Sequence, residues 1–422
     1  MKTSRVRNTL LAVRIGTGGA LLTSTVALAA PRTVCFKMKI RDDRFACPDV
    51  GTTGAKRACN KTGLYSYYVG GRYELWDKDR GSSANDEFIG SWTLGGEGTR
   101  CVTFEWENAS YSKGEANPDV YVRLTHKNRA VNSLHVQVEA VGNNRNSLSN
   151  TTWRGNNDRY VARNCTSGGA CTIYPGRFLV PTNDPSSNRG QRFMMLDSAE
   201  RVLTMYGPDM EAKTIDARYP ATNCITGFAF SREEFCLPAG LGAEGDRVTH
   251  EMGHVSQMHM FHQDTLRNAC DGPWGMNSFE TESCAGQEGW AAYVGAVAWY
   301  NPYNNNTVPY FLGANLEAAS LHHSTCNQNI TSPKQVAKAF WDYNDVHNEA
   351  ASGNATAADT TSKSTTWMNR QWDEFGDGTG NHQDMESGSD GVNMWDYRFH
   401  AISSGSWATL LHHNCLESQA TD

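Results

Sequence analysis

Between Cys35 and Val141 apolar residues recur at every second position in short runs separated by turn residues: GLYSYYV, GRYELWD, EFIGSWTL, CVTFEWE, DVYVRLTH and SLHVQVEAV. In DVYVRLTH, Val120, Val122 and Leu124 fall on one face and Tyr121, Arg123 and Thr125 on the other. That is the period of a half-buried strand, and the β-branched and aromatic content agrees with it. The runs predict a small antiparallel β-sandwich over residues 30–141. From 142 to 169 the chain is rich in Asn, Gly and Ser with few apolar residues, the composition of a linker.

Beyond residue 170 the spacing changes. Leu196-Asp197-Ser198-Ala199-Glu200 predicts the opening of a helix, with Ser198 as N-cap and Val202, Leu203 and Met205 behind it. NCITGFAFSREEFCLP, residues 223–238, predicts a hairpin whose ends Cys224 and Cys236 staple. After the Gly-rich AGLGAEGD, Val248, Met252 and Val255 form the apolar stripe of a second helix that Asp246 caps. GQEGWAAYVGAVAWY is a further strong helical run ending near Asn301-Pro302, with Ala291, Val294, Gly295 and Ala298 as a small-residue face toward the preceding helix. Hairpins followed by helices predict an α+β domain over 170–422, so the chain reads as multidomain.

Composition narrows the setting. Residues 1–29 read as a signal peptide: Lys2, Arg5, Arg7 and Arg14 precede small and apolar residues ending in Ala27-Leu28-Ala29, a sequence suited to cleavage after Ala29. No later stretch approaches the roughly 20 apolar residues of a spanning helix. All twelve cysteines lie beyond that site, and their even number predicts disulfides in an oxidising compartment. The expectation is a secreted protein, extracellular or periplasmic. Proximity suggests the pairs Cys47–Cys59, Cys165–Cys171, Cys224–Cys236 and Cys270–Cys284. A net charge of −7 without a long basic run argues against nucleic acid as a partner.

The chemistry concentrates in VTHEMGH, residues 248–254. His250 and His254 are four apart, so on a helix both imidazoles project from one face and can bind one metal ion. Glu251 lies about 100° round the helix from His250, beside the site without ligating, where a general base must be. Two imidazoles and a carboxylate leave a fourth position for water, whose proton Glu251 takes. This motif resembles that of the zincin metallopeptidases. In the metzincin branch a glycine and a third histidine would follow, but Gln257 and Met260 hold those positions, and His259 and His262 are read as helix-surface histidines. The gluzincin branch completes its zinc site with a glutamate from a second helix, and Glu288 in QEGWAAYVG is that candidate. Glu280 and Glu282 are rivals read as loop residues. The best-known gluzincin form would carry Asp four residues after this Glu, where Ala292 stands, so the partners of the ligands differ here.

The resemblance implies that the α+β domain following the N-terminal β-sandwich is a zincin-like metallopeptidase domain. It implies zinc held by His250, His254 and Glu288, with Glu251 as general base in peptide-bond hydrolysis. The implied substrate is a peptide or protein that docks in extended form along an edge strand of the preceding hairpin. Tyr397 and His400 are the candidates for steadying an oxyanion. Separately, YELWDKDRGSSANDEFIGSWTL resembles a loop of C2 domains and of transthyretin-like domains. The C2 likeness implies calcium at Asp77, Asp79 and Asp86, with Asp42, Asp43 and Asp49 as further partners; the alternative is a solvated hairpin loop. The rival reading of the whole chain is a secreted surface- or lipid-binding protein, its sandwich making weak membrane contact and its zinc site degenerate or structural. Asp373, Asp377, Asp384 and Asp390 read as a solvated loop, and Trp367, Trp372 and Trp395 as packing residues.

Overall fold

A computed structural model describes residues 30–41, 65–67, 71–77, 87–93, 99–106, 118–128, 135–139, 153–154, 161–162, 165–166, 170–172, 178–180, 189–206, 210, 214–222, 224, 227–241, 244–260, 270, 274–300, 302–303, 309–316 and 332–344. The expected signal peptide, Cys47 and Cys59, Asp79 and Asp86, His262, Tyr397, His400 and the C-terminal tryptophans and aspartates lie outside the described residues.

The first half supplies β1 (Ala30–Arg41), β2 (Tyr65–Tyr67), β3 (Gly71–Asp77), β4 (Glu87–Thr93), β5 (Thr99–Trp106), β6 (Val120–Asn128) and β7 (His135–Glu139). Short strands β8 (Trp153–Arg154), β9 (Val161–Ala162), β10 (Ala170–Thr172) and β11 (Phe178–Val180) follow, then α1 (Arg189–Tyr206). The second half carries β12 (Thr214–Arg218), β13 (Phe228–Ser231), β14 (Glu234–Cys236), α2 (Gly245–Met260) and α3 (Glu282–Trp299). Last come β15 (Tyr310–Phe311), β16 (Ala314–Asn315) and α4 (Pro333–Asn344).

Two sheets account for most of these strands. In one, β1 pairs antiparallel with β5 and β2 and parallel with β10 and β11. Along β5, Val102, Phe104 and Trp106 are buried while Cys101, Thr103 and Glu105 are exposed, the alternation of a sheet with one wet face. Cys35 and Cys101 stand directly opposite in this register and are bonded, a pair that spans 66 residues of sequence. The second sheet runs β13-β14-β12-β7-β6-β3-β4, with β8 and β9 also on β6. Here the one-sided pattern fails: Val120, Tyr121 and Val122 are all buried, so both faces of β6 are covered at this end. Asp77, at the end of β3, is itself buried and its Oδ1 accepts the Asp119 amide at 2.8 Å, tying β3 to the entry of β6.

Strand pairing crosses the segment read as a linker. β8 and β9 lie within it and join β6, and β12 pairs in parallel with β7, so one sheet takes strands from both halves of the chain. A continuous apolar core extends from Val34 and Phe36 through α1 to Trp341 of α4. Helix α1 begins nine residues before Ser198, which is buried inside it rather than capping it. Met195, Ala199, Val202 and Tyr206 recur at helical spacing and are buried, and Met195 and Leu196 extend that face upstream of the polar Asp197-Ser198 pair. No helix among the described residues is long and apolar enough to cross a membrane.

Candidate metal centre

Helix α2 follows the Gly-rich turn, and Val248 N–H donates to the Glu244 carbonyl at its start. Asp246 lies in the first turn and its Oδ1 accepts the Arg247 amide at 2.9 Å. The stripe of Val248, Met252 and Val255, extended by Met258, is fully buried and fixes the rotation of the helix. Each such side chain contributes about 1.5–3 kcal/mol when removed from water. With that stripe against the core, His250 and His254 emerge on another side, their rings 4.7 Å apart and nearly perpendicular.

Helix α3 faces them. Thr281 caps it, its hydroxyl accepting the Cys284 amide at 3.1 Å. Glu282 opens the helix, contrary to its reading as a loop residue, while Glu280 precedes it. Glu288 lies in the second turn. Its Oε2 stands 2.9 Å from His250 Nε2 and 3.2 Å from His254 Nε2. The close approach of the helices depends on Gly253, where a Cβ would lie 2.7 Å from Ala291 Cα and 2.8 Å from its carbonyl oxygen. Ala291 thus does meet the first helix, whereas Gly295 of the same expected face lies against Phe311 of β15.

The donors fit zinc. Four-coordinate zinc with bonds of about 2.0–2.1 Å sets its ligand atoms about 3.3 Å from one another, and here the two nitrogens and the carboxylate oxygen lie within 4.8 Å, with the two contacts to Glu288 already near that edge length. Two imidazoles and one carboxylate are also the donor set of a zinc site that keeps a position open. Burial lowers the His250 pKa, and proximity to His254 adds to this against the hydrogen bond that Glu288 accepts from it. Burial would lower His254 too, but the Glu288 charge and hydrogen bond outweigh it and the net direction is up. For Glu288 burial works to raise the pKa, but the His254 charge and the hydrogen bonds from both histidines hold it down at about 2. The carboxylate is therefore ionised and ready to ligate at any physiological pH.

Glu251 does not join the triangle. It is buried, and burial pushes its pKa from 4.5 to about 7, with the His254 charge opposing and the Glu288 charge reinforcing the rise. A carboxyl poised near neutrality beside two imidazoles suits proton transfer in either direction. Its Oε1 rests against Gly227, whose φ of 138° and lack of a side chain leave room for the carboxylate.

Several neighbours were not apparent from the sequence. Trp274 stacks on His250, ring centroids 5.3 Å apart, and Gln257, one turn on from His254, helps to raise the His254 pKa. The bonded pair Cys270–Cys284 spans 14 residues, and Cys270 Sγ lies 3.7 Å from Glu288 Oε1. A loop closure of that length contributes about 3 kcal/mol by restricting the unfolded chain. That pairing was the available signal for Trp274: it confines the loop between Cys270 and Cys284 to the neighbourhood of α3. Cys165–Cys171 and Cys224–Cys236 are also bonded. His259 is a correction: it is buried, not a surface histidine, and its Nε2 lies 2.9 Å from the Arg232 carbonyl oxygen. Comparison of the chain with models of known protein families, with curated proteins and with solved structures returned no match.

Proposed function

We propose that this chain is an exported, zinc-dependent peptidase of the gluzincin-like kind. The observation that carries the reading is the convergence of His250 Nε2, His254 Nε2 and Glu288 Oε2 from two packed helices, with Glu251 buried beside them. His250, His254 and Glu288 would hold the zinc, which would supply Lewis acidity toward a water and an amide carbonyl there.

The protein's own residues do the rest. Ionised Glu288 and the histidines orient the donor set, and Trp274 limits rotation of the His250 ring by stacking on it. Glu251 accepts a proton from the attacking water and delivers it to the departing amine, a shuttle that its pKa near 7 favours in both directions. Strand β13 is the terminal strand of its sheet among the described residues, and Gly227 at its start touches Glu251. An extended peptide adding to that edge would bring its backbone alongside the base, which supports a peptide substrate. The four cysteine pairs bonded among the described residues fit an oxidising compartment, in keeping with export.

The test is digestion of a diverse peptide mixture by the purified protein, by Glu251→Gln and by chelator-treated protein. The expected result is cleavage by the parent alone, restored to the chelated sample by zinc. Stoichiometric zinc with no cleavage by any sample would instead favour a binding protein with a structural metal site.

A further inference from the structure

His259 is buried on α2, two turns beyond Glu251, and takes no part in the metal triangle. Its Nε2–H donates to the main-chain carbonyl of Arg232 at 2.9 Å. Arg232 and Glu233 form the turn joining β13 to β14, so the bond reaches the tip of the hairpin from the helix that carries the candidate base. At the other end of the same strand Gly227 lies against the Glu251 carboxylate.

These two contacts define a line. Eight residues of helix from Glu251 to His259 rise about 12 Å, and five residues of extended chain from Gly227 to Arg232 cover about 16 Å. Strand β13 therefore runs alongside α2, touching it at both ends. The Cys224–Cys236 bond braces the base of the hairpin, where Cys236 pairs in register with Phe228, but it joins the hairpin to itself. The sheet holds the hairpin from one side, where the Glu233 carbonyl accepts the Asp216 amide of β12 at 2.7 Å, and the His259 contact ties it directly to the helix that carries His250 and His254; the register shift between Ala229 and Ser231 makes β13 easier to displace than its neighbours.

We propose that His259 is a positioning residue that latches β13 to α2 through the Arg232 carbonyl and so sets the height of the substrate-pairing edge above the candidate active site. This deepens the peptidase reading and rests on it for its consequence: substrates long enough to pair along Phe228–Ser231 depend on the latch, and a blocked dipeptide does not.

The test uses the full zinc-loaded protein with His259→Met, which fills similar space without a donor, His259→Phe as a second apolar variant, and His259→Gln, which keeps an N–H. The expected result in the two apolar variants is a KM about tenfold higher for peptides of six or more residues, with kcat, zinc stoichiometry and dipeptide KM unchanged; His259→Gln restores the parent KM. Amide hydrogen exchange across residues 228–236 supplies a readout that needs no activity. It is expected to run about tenfold faster in the apolar variants and at the parental rate in His259→Gln. Unchanged exchange and unchanged KM would overturn the latch, as would equal losses on long and short substrates. If the parent cleaves nothing, the peptidase reading fails on its own, and the exchange measurement alone upholds or overturns the latch.

Discussion

Helices α2 and α3 meet at Gly253 and Ala291, yet they are built on opposite plans. Helix α2 buries one apolar stripe and sets polar groups on its other sides: two histidines facing Glu288, the buried Glu251, and a buried histidine that reaches the hairpin. Helix α3 is buried almost all round, from Ser283 to Val297, with Glu288 the one side chain in that run that is not fully enclosed. A helix surrounded by core has a single position and rotation, so it holds its one ligand as a fixed post. On the proposed reading, α3 contributes one rigidly held ligand while α2 carries the other two together with the base, and substitutions of Glu288 and Glu251 are expected to fail differently.

The largest effect is expected on α2. Glu251→Gln should lower the cleavage rate by about 10²–10⁴-fold while zinc stays bound, since it removes the proton shuttle and no ligand; parallel rate and zinc-content assays check this. On α3 the loss should be of metal: Glu288→Gln is expected to weaken zinc binding by more than about 100-fold, measured by competition with a chromogenic chelator. A Glu251→Gln protein that loses zinc, or a Glu288→Gln protein that keeps it, would break the division between the helices.

A third effect concerns stability. Because the folded pKa of Glu251 lies near 7 against 4.5 unfolded, the folded state holds an extra proton between those values, and its stability falls as pH rises through that window. Glu251→Gln should therefore stabilise the metal-free protein at pH 8 by up to about 3 kcal/mol and change little at pH 4, as read from urea unfolding. A smaller change is expected at the helix contact. Alanine normally favours a helix over glycine by about 1 kcal/mol, but Gly253→Ala places a methyl against the Ala291 backbone and should destabilise by about 1–3 kcal/mol. The smallest effect is on pH dependence of metal uptake. With the His254 pKa raised, protons compete with zinc for this imidazole more strongly, so affinity should fall as pH drops, by at most about tenfold per unit for that one proton.

Legibility in the sequence followed the range of the interactions. The α2 stripe, the His-Glu-His spacing, the hairpin at 223–238 and three of the four cysteine pairs bonded among the described residues are local patterns and could be read directly. Cys35–Cys101 could not, because only the β1–β5 register brings residues 66 apart face to face. The start of α1 was hidden because Asp197-Ser198 looks like a cap unless one knows that the core covers it on every side. Helix α4 carried a readable signal, Ser332 followed by Pro333 at the first helical position and then Val336, Ala337, Phe340 and Trp341 in helical spacing, which the sequence reading did not use. His259 was read as a surface histidine, and the cover over the Tyr121 face of β6 went unseen, because periodicity assigns faces to an element but not the neighbours that cover them.

The most direct test of the central claim is zinc K-edge X-ray absorption on the zinc-loaded protein. Coordination by His250, His254 and Glu288 predicts one zinc per chain with a shell of nitrogen and oxygen only, at about 2.0–2.1 Å and with imidazole outer-shell scattering. Sulfur scattering at about 2.3 Å would place the ion on cysteine thiolates instead. That result, or the absence of stoichiometric zinc, would contradict the account.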